Sequence, residues 1–223
     1  MITIQKYRHS FKSIMTLGIL ILIAATGFAQ IKPEKQAVTV EKQQIANSLG
    51  TLKQINAGVL NVGYAEAGPV KGPVVILLHG WPYDIHSYEE VVPLLVAKGY
   101  RVITPYLRGS GTTRFLSETT FRNGQQAAIA SDIIALMDAL KIEKATIGGF
   151  DWGARTAVVM AALWPERLRG LVSVSGYLLV NLEANLKPLP PVAEYGWWYQ
   201  YYFSTERGKT GYSENRYEFN KLI

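Results

Sequence analysis

No cysteine occurs anywhere in the 223 residues. That excludes disulfide stapling, thiolate catalysis, cysteine-based metal sites and lipid attachment through an N-terminal cysteine. Histidine is almost as scarce, with only His9, His79 and His86. There is no H-x-x-x-H pair or clustered His/Asp spacing, so the sequence offers no metal site and no cofactor motif. Charge is sparse as well, at 18% of residues. The basic residues form no stripe or recognition motif, which argues against a nucleic-acid partner. Nor is there an apolar run of the roughly 20 residues that a membrane span needs. The longest, Ile14 to Ala29, has 16 residues and includes Thr16, Gly18, Thr26 and Gly27.

That short run follows Lys6, Arg8 and Lys12 and ends in small residues at Gly27 and Ala29. A basic start, an apolar centre and a small-x-small end are the layout of a secretory signal peptide, here residues 1–29. A retained anchor is the competing reading. Cleavage after Ala29 removes three of the 23 basic residues and lowers the formal charge from +6 to +3. The expectation is an exported protein, periplasmic or secreted, with no stable membrane span once the signal is gone. At 48% hydrophobic residues, the remaining chain has enough apolar material for an ordinary globular core.

Residues 30–50 are polar and read as a linker or lead-in. TLKQINAGVLNVGYAEAG, residues 51–68, alternates on both sides of Gly58 and predicts a β-hairpin. PVVILLHG is a near-continuous apolar run, the pattern of a parallel strand covered on both faces. A helix is expected over 87–97, capped by Ser87 and stopped at Gly99, followed by a strand at 100–105. An amphipathic helix over 124–141 precedes the strand KATIGGF. Another helix runs from Asp151 to near Pro165, and RGLVSVSGY is a further strand. Strands alternating with helices predict an α/β fold, a mostly parallel sheet with helices on both faces. After Tyr177 the pattern changes to proline-rich and aromatic segments. The organisation is therefore a core over 51–177 and the beginning of a helical cap over 178–223.

The most informative segment is Gly148-Gly149-Phe150-Asp151-Trp152-Gly153. A buried strand ends and a helix begins within one or two residues. So sharp a turn crowds the positions two before and two after its apex, hence Gly149 and Gly153. The apex side chain is pushed out over the C-terminal edge of the sheet, where sites of open α/β folds lie. Asp151 could simply cap the helix. It could also be a nucleophile: a carboxylate attacks an sp³ carbon to give an alkyl ester. Attack on an acyl carbon would give an activated anhydride, so the elbow points to epoxides or alkyl halides. His79-Gly80-Trp81-Pro82 follows the first buried strand. Gly80 allows the backbone close to the elbow, so the N–H groups of Trp81 and Trp152 can converge as an oxyanion or halide hole. His79 is expected to organise this loop by hydrogen bonding and not to act as a base.

HGWP, PYLRGSG (105–111) and GGFDWG, in this order and spacing, resemble the epoxide hydrolase branch of the α/β-hydrolase superfamily, with the haloalkane dehalogenases as close relatives. The resemblance covers about residues 51–220. It implies an α/β-hydrolase fold, Asp151 as nucleophile, Trp81 and Trp152 as oxyanion-hole donors, and no cofactor. Tyr106 stands where many superfamily members have aspartate. In the Tyr199-Gln200-Tyr201-Tyr202-Phe203 stretch the resemblance makes Tyr199 the donor to the epoxide oxygen, with Gln200 beside it; by composition Tyr201 and Tyr202 are equally eligible. The substrate implied is a small apolar epoxide, the alternative an alkyl halide. A degenerate, non-catalytic member of the same fold is the third reading.

Chain order sets one further expectation. In this superfamily the catalytic acid and histidine follow the nucleophile, and no histidine occurs after His86. The expected core is therefore incomplete at its C-terminus, the cap is cut short, and the chain is inactive or limited to one turnover. A sheet ending after the strand at 169–175 would leave an apolar edge unpaired. Oligomeric state is not legible.

Overall fold

The computed structural model describes residues 48–176 and 181–223. The candidate export segment, most of the 30–50 lead-in and the junction at Tyr177 lie outside these residues. The alternating segment folds as the expected hairpin, β1 (Thr51–Ala57) and β2 (Leu60–Ala67), paired from Thr51↔Glu66 to Ala57↔Leu60. Gly58 closes it at φ +55°, where a side chain would be strained. The apolar run becomes β3 (Val74–Leu78), and β4 (Arg101–Pro105) follows. A two-residue strand, β5 (Arg114–Phe115), pairs with β2; it is too short to leave a pattern in the sequence. β6 (Ala145–Phe150) and β7 (Leu168–Val174) complete a seven-stranded sheet. Its order is β1-β2-β4-β3-β6-β7, and β4, β3, β6 and β7 are mutually parallel.

The helices are α1 (Val91–Ala97), α2 (Gln126–Ala139) and α3 (Trp152–Leu163). β3 shows why its sequence has no polar alternation. Val75 and Leu77 join one buried cluster with Val92 and Val102, whereas Ile76 and Leu78 join another with Leu136, Met137 and Met160. Each such side chain contributes about 1.5–3 kcal/mol on burial. Both faces of this strand are core.

The start of the first helix differs from expectation. Asp84, not Ser87, is the cap, and what it caps is a 3₁₀ turn over Ile85–Tyr88. The Asp84 carboxylate accepts the His86 N–H, and the Tyr88 hydroxyl donates to the Leu78 carbonyl at 2.7 Å. These bonds tie the turn to the end of β3, so the α-helix starts only at Val91. Gly99, at φ +83°, follows the end of that helix.

Beyond the junction lie α4 (Leu182–Asn185), α5 (Pro191–Gly196), α6 (Trp198–Phe203), α7 (Glu206–Glu214) and α8 (Arg216–Asn220). Their packing centre is Phe219, only 7% exposed, with ring centroids of Phe203 and Tyr212 each 5.1 Å away. No helix among the described residues is long and apolar enough to cross a membrane.

β3 and β6 are neighbours whose outgoing connections diverge, one towards β4 and the other towards β7. Divergence opens a crevice at their C-terminal ends. At the other side, β7 is the edge of the described sheet, with Leu171 40%, Val172 56% and Val174 53% exposed. An apolar edge of this kind is a template for strand pairing. Val172→Lys is therefore expected to reduce self-association, with sedimentation velocity shifting towards monomer while the urea midpoint changes little.

Candidate active site

The crevice is formed by two tight backbone approaches. At its first side, the chain leaves β6 through Asp151, whose φ of +50° and ψ of −117° are unfavourable for any residue with a Cβ. Such a conformation costs about 1–3 kcal/mol and persists only where its surroundings enforce it. Here the Asp151 N–H donates to the Val174 carbonyl at 3.1 Å, and the Asp151 carbonyl accepts from the Arg155 N–H at 3.1 Å. The flanking glycines are sterically required. A Cβ on Gly153 would strike the Leu78 carbonyl, and one on Gly149 would lie 2.5 Å from the Gly153 carbonyl carbon. No side-chain cap bond is made by Asp151, which removes helix capping as the reason for a carboxylate there.

On the second side, the loop after β3 carries His79 to Pro82. The Trp81 N–H donates to Asp151 Oδ1 at 3.1 Å. Gly80 permits this, because a Cβ there would sit 2.6 Å from Asp151 Cβ. The Trp81–Pro82 bond is cis. Trp152 is the first residue of α3, so its N–H belongs to the unpaired set at that helix N-terminus.

His79 is 2% exposed. Its Nδ1 lies 3.0 Å from the Gly80 carbonyl, and its Nε2 accepts the Leu107 N–H at 3.2 Å. One nitrogen must donate and the other accept, which is the neutral ring, and burial holds its pKa below the ordinary value. The ring couples the β3 loop to the loop after β4. His86 is elsewhere, paired with Asp84 at 2.8 Å beside Pro82 and outside the cavity.

A cavity of about 880 Å³ lies over Asp151, bounded by Trp81, Trp152, Arg155, Tyr199, Gln200 and Phe203 among others. The three tyrosines of α6 face different surroundings. Tyr199 lines this cavity, its ring 5.2 Å from that of Trp81. Tyr201 is 61% exposed and donates to Glu194. Tyr202 stacks on Phe219 at 5.5 Å. Thus the geometry brings Asp151, Trp81, Trp152, His79, Gly80, Tyr199 and Gln200 to one cavity, and leaves Pro82 beside it.

Part of the wall was not legible in the sequence. Arg108, from PYLRGSG, donates to both Asp132 oxygens (2.6 and 2.7 Å) and to the carbonyls of Asn123 and Ala128. It thereby fixes the loop at 121–126 against α2. Burial pushes the Asp132 carboxyl up despite the opposing pull of Arg108. Only its helix spacing, four residues after Asp151, could have signalled Arg155; nothing local marked the 121–126 loop. Among the described residues no cluster of His, Asp or Glu could hold a metal ion. Apart from His79, no histidine among the described residues lines the cavity.

A mostly parallel sheet flanked by helices, a carboxylate at a strained strand-to-helix elbow and a helical cap over the crevice define an α/β-hydrolase. The family model described as the alpha/beta hydrolase fold matches residues 73–210, and the chain belongs to that family. Within it the chain is epoxide hydrolase-like. It is 34% identical over 106 residues to epoxide hydrolase B of Mycobacterium tuberculosis, covering 47% of this chain and 29% of that protein. It is 36% identical over 121 residues to epoxide hydrolase 3 of Siraitia grosvenorii, covering 54% and 37% respectively. A crystal structure from Klebsiella pneumoniae, of a protein provisionally classed as an epoxide hydrolase, is 60% identical with a TM-score of 0.74. That match covers 80% of this chain and 59% of the other. The chain thus spans less than two thirds of each of these proteins.

Two outcomes are expected. Removing one partner of a buried ion pair typically costs about 3–5 kcal/mol, so Arg108→Ala should lower unfolding free energy by that order in urea melts. His79 gives a pH effect. Its folded pKa is depressed, so the unfolded chain binds the proton more readily. Stability is then full above the ordinary value near 6.5 and declines as pH falls through it. Urea midpoints should drop between pH 7.5 and 5.5, and His79→Asn should be less stable throughout but flatter across that window.

Proposed function

We propose that this hydrolase opens small apolar epoxides through an alkyl ester on Asp151. The observation that carries the reading is a carboxylate, not a hydroxyl, at the elbow, with the Trp81 N–H on one of its oxygens. That bond leaves the other oxygen to attack. A carboxylate is a competent nucleophile at an sp³ carbon, and a strained three-membered ring supplies such a carbon with its own leaving group.

In the first step an Asp151 oxygen bonds to an epoxide carbon and the carbon–oxygen bond of the ring breaks. The departing oxygen needs a proton, and Tyr199 is the phenol on the cavity wall suited to donate it. The N–H groups of Trp81 and Trp152 then face the ester carbonyl oxygen. They would stabilise the oxyanion formed when water adds to the ester and releases a vicinal diol. That addition requires a base. His79 does not serve, because both of its ring nitrogens are engaged with backbone. Among the described residues no other histidine lines the cavity, so the ester is expected to persist long enough to be detected. The proposed setting is outside the cytoplasm, after release from the leader at 1–29.

Incubation with styrene oxide followed by intact-mass spectrometry tests this directly. The expected result is a gain of one epoxide mass, localised to Asp151 and absent in Asp151→Asn. Loss of one general acid slows such steps by roughly 10²–10⁴-fold, so Tyr199→Phe should slow adduct formation by at least about 100-fold. Halide release from 1-haloalkanes without epoxide opening would instead establish the dehalogenase reaction. Absence of both adduct and diol in a folded sample would exclude a nucleophilic Asp151.

A further inference from the structure

The pole of the sheet opposite Asp151 carries a charge pattern that hydrolysis does not use. Register locates that pole: Val74 pairs with Arg101, Ala145 with Leu168, and Ala67 with Val102, so strand starts and the end of β2 lie together. Asp151 follows the far end of β6. At the near end a depression of about 360 Å³ is lined by Lys71, Arg101, Lys141, Lys144 and Arg169, with Glu143 as its one acid. Arg101 is held by Glu66 at 2.6 Å. Among the described residues none of the other four cations is in an ion pair. Against Glu143 they leave a net charge of +3 on one small surface.

All four are exposed and come from three separate parts of the chain: Lys71 before β3, Lys141 and Lys144 before β6, and Arg169 at the start of β7. Lys141 is held at φ +56°, a conformation that favours glycine. An exposed, spread set of cations lacks the converging buried donors that a small anion would need. It suits an extended anionic surface.

The first described strand starts at this pole. Thr51 pairs with Glu66, next to the Ala67–Val102 end, so the described chain begins on the basic side. Upstream are the cations Lys6, Arg8 and Lys12 and the apolar run Ile14–Ala29. The tether from Ala29 to Ser48 spans at most about 65 Å when extended. A leader engaged with the membrane before its release would draw the basic pole, where the described chain begins, towards the bilayer, while the catalytic cavity opens on the opposite side.

We infer that the surface formed by Lys71, Lys141, Lys144 and Arg169 docks the protein on anionic phospholipid headgroups. The test uses the full chain with Lys6, Arg8 and Lys12 changed to Gln, so that leader charge does not contribute. Its partition onto phosphatidylcholine vesicles is compared with that onto vesicles containing about 30% phosphatidylglycerol. Each cation near such a surface contributes roughly fivefold to binding. The expected gain on the anionic vesicles is at least about 30-fold, disappearing in ~0.5 M salt as the Debye length shrinks to a few ångströms. Lys141→Glu/Lys144→Glu/Arg169→Glu should abolish that gain while leaving binding to neutral vesicles and the circular dichroism spectrum unchanged. An equal gain in the triple variant would overturn the inference. So would binding of inorganic phosphate or duplex DNA at this pole without any preference for phosphatidylglycerol.

Discussion

The close contact between the elbow and the end of β3 is the constraint on which the rest of the site depends. Gly153 rests against the Leu78 carbonyl and Gly80 against the Asp151 side chain, so neither segment can shift without losing the other. That double approach forces Asp151 into its positive-φ conformation and delivers the Trp81 N–H to its carboxylate. The strain of about 1–3 kcal/mol is small beside the burial of β3 and β6, whose side chains lie in both core clusters. A rigid sheet flanked by helices can therefore hold a local geometry that an isolated turn would relax.

Around that contact the supporting groups are tied in pairs of segments. His79 joins the β3 loop to Leu107, and Arg108 joins the same β4 loop to the 121–126 wall and to α2. Tyr88 returns the first 3₁₀ turn to Leu78. These polar groups are buried with partners, which fixes position more than it adds net stability. The cap is held differently, by aromatic packing about Phe219, with Trp81 reaching up to Tyr199 and Phe203. Its contact with the core is thus made through a residue of the candidate oxyanion hole.

The sheet is asymmetric in function as well as in topology. Diverging connections at β3 and β6 open the cavity at one pole, whereas loops entering the strands gather cations at the other. β7 presents an apolar edge. Three surfaces of distinct chemistry are thereby carried by one layer of strands.

Much of this was legible in the sequence because it depends on local rules. The alternation around Gly58, the unbroken apolar run of β3 and the glycines flanking Asp151 each follow from backbone sterics or two-faced burial. They identified the hairpin, the central strand and the elbow. The chemistry of a carboxylate at that apex likewise needs only the residue type. What local rules could not supply was anything requiring distant segments to meet. The first helix begins at Val91 because Tyr88 and Asp84 bind outside it. Tyr199 faces the cavity while Tyr201 and Tyr202 do not, because packing on Phe219 sets the rotation of α6. The Arg108 wall and the basic pole join residues separated by tens of positions, and only the folded sheet brings them together.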